Sequence, residues 1–329
     1  MKERILTLLK SKQSDFMSGE EISNLLGVSR TAIWKHIQSL KEDGYEIQSV
    51  TRQGHRLLAV PDRLYPKEVQ EGLTTTSFGQ SIVYFDRVSS TNEVAKELAA
   101  QGIPEGTVVI AEEQTGGKGR LGRQWVSPHG QGVWLTLILR PQISPMDAPK
   151  LTIMAAVAVA RAIAQVSSVT PGIKWPNDIL YQGRKLAGIL TEMSAEMDTV
   201  NYAILGIGTN VNISEEAFPE ELKNQATSLL KEGGTKVNRA KYVQSLLGNL
   251  EELYGQLLGG GFDAILAEWR RFSLTIGARV VVTGLKQTME GLAVDIDETG
   301  ALILEDTTGQ KLKVVAGDVS IRGAQGQYA

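Results

Sequence analysis

Cysteine is absent from the 329-residue sequence, which removes disulfides, thiolate nucleophiles and cysteine-containing zinc sites together. Histidine is scarce: His36, His55 and His129 stand far apart, so no metal site is expected. Long apolar runs are lacking too. The most lipid-like stretch, Leu151 to Val166, falls short of the roughly 20 residues a spanning helix needs. It also contains Arg161 and Gln165, and is expected to be a buried helix rather than a membrane contact. Met1 to Lys10 alternates charge without an apolar centre, the wrong profile for a secretion signal, so a cytoplasmic location is expected. A net charge of −3 argues against a nonspecific nucleic-acid coat. The charge is uneven, however: residues 1–60 hold nine Lys/Arg against seven Asp/Glu, a +2 head on a −5 remainder.

What is present suits two or three domains of ordinary globular composition. Ile5, Leu8 and Leu9 give a first helical face. Ser18 with Glu21 forms a capping-box signature ahead of Ile22, Leu25 and Leu26. Gly27 supplies a turn, Ser29 can cap the next helix, and Ile33, Ile37 and Leu40 keep helical spacing until Asp43-Gly44. With those apolar residues inward, Arg30, Thr31, Trp34, Lys35 and Gln38 lie on the opposite side, where a recognition helix meets the major groove. Tyr45 to Leu58 alternates like a hairpin, with Arg52, Gln53, Gly54, His55 and Arg56 at its tip, a basic wing. A small helical interaction module with solvated charges would share this pattern.

Pro61 and Pro66 bracket a polar joint, so the expected division is a winged helix-turn-helix over residues 1–62, a linker over 63–76, a central mixed α/β body over 77–273 and a small barrel over 274–329. The body reads as strands at Ile82 to Phe85, Thr107 to Ala111, Val133 to Leu139, Gly188 to Met193 and Tyr202 to Ile207, with helices at Thr91 to Ala100 and 151 to 166. Short β runs at Arg279 to Thr283, Gly291 to Ile296, Ala301 to Glu305 and Lys311 to Val315, separated by glycine-bearing turns, suggest the barrel.

Four strings could carry chemistry. Gln114 to Trp125 alternates glycines with Lys118, Arg120 and Arg123, a loop able to wrap backbone N–H groups and positive charge around an anion. It lacks the glycine spacing and hydroxyl of a P-loop. Lys174-Trp175-Pro176-Asn177-Asp178 precedes Lys185-Leu186-Ala187-Gly188, where a lysine entering an apolar run needs an anion to meet it. Lys185 is therefore a candidate charge stabiliser, although a strand-end lysine reaching for water is the commoner case. Ser89-Ser90-Thr91-Asn92 could read an amide-like group or simply cap a helix. Gly206-Ile207-Gly208-Thr209-Asn210 lacks the third glycine of a dinucleotide loop and is not read as one.

In this order and spacing the four strings, together with head and barrel, resemble the bifunctional biotin-protein ligase and biotin operon repressor family over essentially the whole chain. The resemblance implies an α+β multidomain fold ending in an SH3-like β-barrel. It implies biotin and ATP as substrates, Mg²⁺, an acyl-adenylate intermediate, and transfer of biotin to a lysine of a biotin carboxyl carrier protein. It also implies a homodimer when adenylate-bound, acting on an operator with two half-sites. Carried over, the biotin and adenylate contacts are Ser90, Thr91, Asn92, Gln114, Lys118, Gly119, Arg120, Arg123, Lys185, Gly188 and Asn210, with Lys185, Arg120 and Asp178 as catalytic candidates. The DNA contacts are Arg30, Thr31, Trp34, Lys35, Gln38, Arg52 and Arg56. Lys118 stands where one branch of the family has arginine, keeping the charge but not the bidentate fork. Two other readings stay open at this point: a ligand sensor without chemistry, and a related acyl ligase acting on lipoate.

Overall fold

Ser18 and Ser29 open consecutive helices by accepting from the backbone N–H groups of Glu21 and Ala32, and Gly27 closes the first of them in the left-handed conformation. The computed structural model describes residues 1–12, 15–283 and 288–321. It divides into two units, Met1–Arg63 and the chain from Leu64 onward. In the first unit α1 (Lys2–Ser11), α2 (Gly19–Leu26) and α3 (Arg30–Glu42) bury Ile5, Leu6, Leu9, Ile22, Ile33, Ile37 and Leu40 against one another. β1 (Glu46–Val50) and β2 (Gly54–Ala59) form the expected antiparallel hairpin.

The hairpin corrects one detail of the wing. Its turn is Thr51 to Gln53, so Arg52, at φ 69°, is at the tip, whereas His55 and Arg56 already belong to β2. Arg56 donates from Nη2 to Gln48 Oε1 at 2.5 Å across the ladder, and its guanidinium lies 4.6 Å from the Phe16 ring centre. It stiffens the hairpin from within.

In the second unit, α4 (Pro66–Gln70) lies in the stretch expected as linker, and both Leu64 and Val69 are fully buried in the main core. The apolar spacing of these two residues was masked by Pro61 and Pro66. The remaining elements run β3 (Ile82–Val88), α5 (Thr91–Ala100), β4 (Val108–Gln114), β5 (Val133–Leu139), α6 (Ala148–Val166), β6 (Gly172–Lys174), β7 (Asp178–Tyr181), β8 (Arg184–Glu196), β9 (Thr199–Thr209), α7 (Leu229–Gly233), α8 (Arg239–Leu258) and α9 (Phe262–Phe272). The strands make one seven-stranded sheet in the order β3-β4-β5-β9-β8-β7-β6. β3 and β4 pair parallel, across the α5 crossover, and the other neighbours antiparallel.

Period-2 alternation sorts the side chains. Val108, Ile110, Leu135, Leu137, Leu205 and Ile207 join the core with α6, α8 and α9, while Val109, Ile138 and Ile204 pack with Ala95 and Ala99 of α5. α6 is the described helix long and apolar enough to cross a membrane by composition, and here its residues from Ile153 to Ala160 are all buried in the core. A buried ion pair staples the sheet: Arg239 Nη1 donates to Glu112 Oε2 at 2.9 Å and to the Gly132 carbonyl at 3.0 Å, both side chains without solvent exposure. Glu112 Oε1 also accepts the Leu64 N–H at 2.7 Å.

The C-terminal part is a five-stranded antiparallel sheet, β10 (Arg279–Thr283), β11 (Thr288–Ile296), β12 (Leu302–Glu305), β13 (Lys311–Val314) and β14 (Asp318–Ile321), in the order β13-β12-β11-β10-β14. β14 was not anticipated. Residues 284–287 and 322–329 of the expected barrel segment lie outside the described residues. Trp175 joins this sheet to the body, donating from its backbone to Thr275 Oγ1 at 2.9 Å and from its indole to the Gly300 carbonyl at 3.0 Å.

Candidate functional site

Three strand ends and one helix start open on a single cavity of about 820 Å³. Its wall contains the whole carried-over ligand set, Ser90, Thr91, Asn92, Gln114, Lys118, Gly119, Arg120, Arg123, Lys185, Gly188 and Asn210, together with Asp178.

The polar end lies where β3 turns into α5. Ser90 is the N-cap by position but makes no side-chain capping bond. Capping falls to a neighbour: Gln114 Oε1, at the end of β4, accepts the Thr91 N–H at 2.9 Å and lies 3.0 Å from Thr91 Oγ1. Gln114 Nε2 then donates to Ser127 Oγ at 3.1 Å. Asn92 is almost fully buried, its Oδ1 2.7 Å from Thr136 Oγ1 and its Nδ2 donating to Glu192 Oε2 at 2.7 Å. The helix N-terminus is thus capped from outside, which leaves Ser90 facing the cavity.

The glycines of β8 and β9 make that end possible. A Cβ on Gly206 would sit 2.2 Å from Asn92 Oδ1, and one on Gly208 would sit 2.5 Å from Trp125 Nε1. Gly206 to Thr209 is therefore the last part of an inner strand with room for side chains from above, followed directly by Asn210, and not a dinucleotide-binding loop. Trp125 lies over Gly188 and Gly208, and among the described residues its buried indole N–H has no hydrogen-bond partner.

The other end is cationic. Lys185 Nζ lies 2.6 Å from Asp178 Oδ1 and 5.3 Å from the Trp125 ring centre. Arg120 donates from Nη1 to Asn177 Oδ1 at 3.1 Å and from Nη2 to the Gly317 carbonyl at 3.2 Å. Asp318 of β14 faces both loop arginines, 3.5 Å from Arg120 and 2.5 Å from Arg123. Lys118 points the other way, to Glu93 Oε1 at 3.0 Å, and together with Lys96 holds that carboxyl below its usual range. Burial pulls the Lys174 ammonium below the usual lysine range; Asp178 opposes the shift and Lys185 adds to it. Among the described residues, no group of three or more His, Asp or Glu could hold a metal ion.

Asn210 has a different place from the rest. Its Nδ2 donates to the carbonyls of Lys185 (3.3 Å) and Thr227 (3.0 Å), so it orients the strand that carries Lys185. Trp125, Lys174 and Asn177 also line the cavity; they stand inside the motif strings but were not singled out as contacts. Asp318 carries no local signal at all.

On the first unit, Arg30, Thr31, Trp34 and Lys35 are exposed along one face of α3, with Trp34 57% accessible despite its size, and Gln38 is half-buried beside them. Arg30 is partnered by Glu20 at 2.7 Å.

Comparison with known proteins places this geometry. Residues 84–210 match the Biotin/lipoate A/B protein ligase family, residues 2–56 an HTH domain and residues 275–322 the Biotin protein ligase C terminal domain. The bifunctional ligase/repressor BirA of Bacillus subtilis is 44% identical over 98% of both chains, and that of Escherichia coli is 30% identical over 98% of this chain and 97% of its own. The chain belongs to the bifunctional biotin ligase/repressor family. A solved biotin protein ligase from Aquifex aeolicus in complex with biotin and ATP, 27% identical, superposes with a TM-score of 0.65 over 74% of this chain and 100% of its own. In this chain the cavity has a hydrogen-bonding end at Ser90 to Asn92 and Gln114 and a cationic end at Arg120, Arg123, Lys174 and Lys185.

Proposed function

We propose that this protein is an ATP-dependent biotin–protein ligase that also represses transcription in response to biotin. The observation carrying the reading is one cavity with a hydrogen-bonding floor at Ser90, Thr91, Asn92 and Gln114 and a cationic rim at Arg120, Arg123, Lys174 and Lys185, with Lys118 on its wall nearer the floor. Biotin has a polar ureido head, an apolar body and a carboxylate tail, and that layout takes each in turn.

The carboxylate is inert toward amines at neutral pH. Its oxygen attacks the α-phosphorus of ATP, the bond to pyrophosphate breaks, and biotinyl-5′-AMP forms. Two anions must approach, and the rim supplies a preorganised positive field for them. Lys185 lies at the carboxylate and phosphate, and Arg120 and Arg123 close from the loop. Mg²⁺ would share the neutralisation of the nucleotide's phosphate charge; among the described residues no carboxylate cluster stands ready to hold it, so the nucleotide would have to bring it. In the second step the amine of a carrier-protein lysine attacks the acyl carbon and AMP leaves. Asp178, next to Lys185, orients the incoming amine or takes its proton. The loop over residues 115–124 shields the mixed anhydride from water.

The C-terminal sheet curls into an SH3-like barrel that carries Asp318 to the loop. The head binds an operator with two half-sites through the exposed face of α3 and the wing tip, and the adenylate-bound protein does so as a homodimer in the cytoplasm, where ATP and operator both occur. Biotin-dependent exchange of label between pyrophosphate and ATP tests the first half-reaction; exchange that needs no biotin, or none at all, contradicts it. Gel filtration with biotin and ATP tests the second part, a shift toward dimer being the expected result and an unchanged monomer the contrary one.

A further inference from the structure

We infer that Glu192, which lies outside the cavity wall, is a positioning residue that sets the hydrogen-bond polarity of the pocket floor and with it the selectivity for a cyclic urea. The inference rests on the reading of that floor as the biotin head-group site.

Counting protons fixes the sense of each contact. Glu192 Oε1 is 2.6 Å from Lys96 Nζ, and its Oε2 faces Asn92 Nδ2 at 2.7 Å. A carboxylate can only accept. Asn92 must therefore present its amide nitrogen to Glu192 and its oxygen to the other side, where Thr136 Oγ1 stands 2.7 Å away. An oxygen facing a hydroxyl takes the hydroxyl's proton, and Thr136 has only one. Toward Thr91 Oγ1, at 2.8 Å, Thr136 can then only accept. The Thr91 hydroxyl has Thr136 Oγ1 and Gln114 Oε1, at 3.0 Å, within reach, and the Thr136 contact takes its proton, since otherwise two hydroxyl oxygens would face each other at 2.8 Å with no proton between them. One ionised group thus orders donors through Asn92, Thr136 and Thr91 in sequence. Packing against Gly206 fixes where the Asn92 amide lies, and Glu192 fixes its sense, because a reversed amide would set its oxygen against the carboxylate.

The consequence for a ligand is definite. Thr91 and Asn92 line the cavity whereas Thr136 is buried behind them, so with the Thr91 and Thr136 protons spent inward this side is left with acceptor oxygens to offer a ligand. Acceptors on this side suit the ureido N–H that faces it and repel an analogue that places a ring oxygen at that position. A glutamine at 192 could donate as well as accept, so Asn92 could reverse and the order would be lost.

The test is isothermal titration of the full-length protein with biotin and with its two cyclic carbamate analogues, each having one ureido N–H replaced by a ring oxygen. A polar site of fixed sense rejects the isomer with the misplaced acceptor by about 10⁴-fold. Glu192→Gln is expected to narrow that discrimination by about tenfold or more. Lys96→Met removes the ion pair but keeps the accepting carboxylate, and is expected to retain the wild-type discrimination. The inference is overturned if Glu192→Gln retains it, or if Lys96→Met narrows it equally, since the effect would then come from the charge pair. A wild-type protein that binds neither biotin nor the carbamates would remove the head-group reading, and this inference with it.

Discussion

Gly206→Ala isolates the polar floor with one methyl group. The added carbon would stand 2.2 Å from Asn92 Oδ1 and 2.9 Å from both Cγ and Nδ2, where a relaxed contact is about 3.5 Å. Asn92 would have to retreat by roughly 1 Å, yet it is held between Thr136 and Glu192 and nearly without solvent. The displacement breaks both hydrogen bonds, at about 1 kcal/mol each, and leaves the buried Thr136 hydroxyl short of a partner for about 1 kcal/mol more. That loss of about 3 kcal/mol falls on folding stability and lowers the calorimetric Tm, while displacement of a floor residue by about 1 Å weakens biotin binding by roughly 100-fold, read by titration calorimetry. Gly255→Ala is the control: it lies exposed within α8 with nothing near its Cβ, and should gain about 0.5–1 kcal/mol from helix propensity without touching binding. Wild-type biotin affinity in Gly206→Ala would refute the reasoning.

Other perturbations address separate parts of the account. Arg239→Met leaves Glu112 charged and buried and should cost about 3–5 kcal/mol, seen as a lowered calorimetric Tm; an unchanged Tm would contradict the staple. Asp318→Asn should speed tryptic cleavage after Arg120 and Arg123, because the carboxylate that holds them is gone, and equal cleavage rates would count against that contact. For Asp297, burial raises the carboxyl pKa, but Lys313, Thr299 and the Ala301 N–H outweigh it and bring it to about 2. A depressed folded-state pKa gives stability that is present above the unfolded value and lost as pH falls through the folded one. The urea midpoint should therefore drop between pH 4 and pH 2, less steeply in Asp297→Asn; parallel pH profiles would contradict this. Ser29→Ala removes the cap of α3 and should destabilise the head by about 1 kcal/mol, measured by urea unfolding; no change would mean the cap contributes nothing.

The legible parts of the molecule were those with local grammar. α5, β5 and the helices of the head begin and end within a few residues of where caps, glycines and apolar spacing put them, because those signals act over one turn or one strand. β6 and β7 are three and four residues long, too short for periodicity to register, and β14 is defined by pairing with β10 across distant sequence. The same division holds in the cavity. Lys185 and the cationic loop announce themselves as charge next to glycine or apolar residues. Asp318, Thr136 and Glu192 do not, since an isolated carboxylate or hydroxyl acquires its role only from what tertiary structure sets beside it. Arg56 shows the converse: a residue assigned to the wing tip belongs to the ladder because strand register, rather than composition, decides which way it is held.

The central claim is that one cavity activates biotin as an adenylate and passes it to a lysine. Incubation of the purified protein with biotin, Mg-ATP and a biotin carrier domain, followed by intact-mass measurement of the carrier, tests it directly. The account predicts a single biotinyl addition with wild type and its near loss with Lys185→Ala and Arg120→Ala. An unmodified carrier alongside folded, biotin-binding wild type would contradict it and leave a sensor without chemistry.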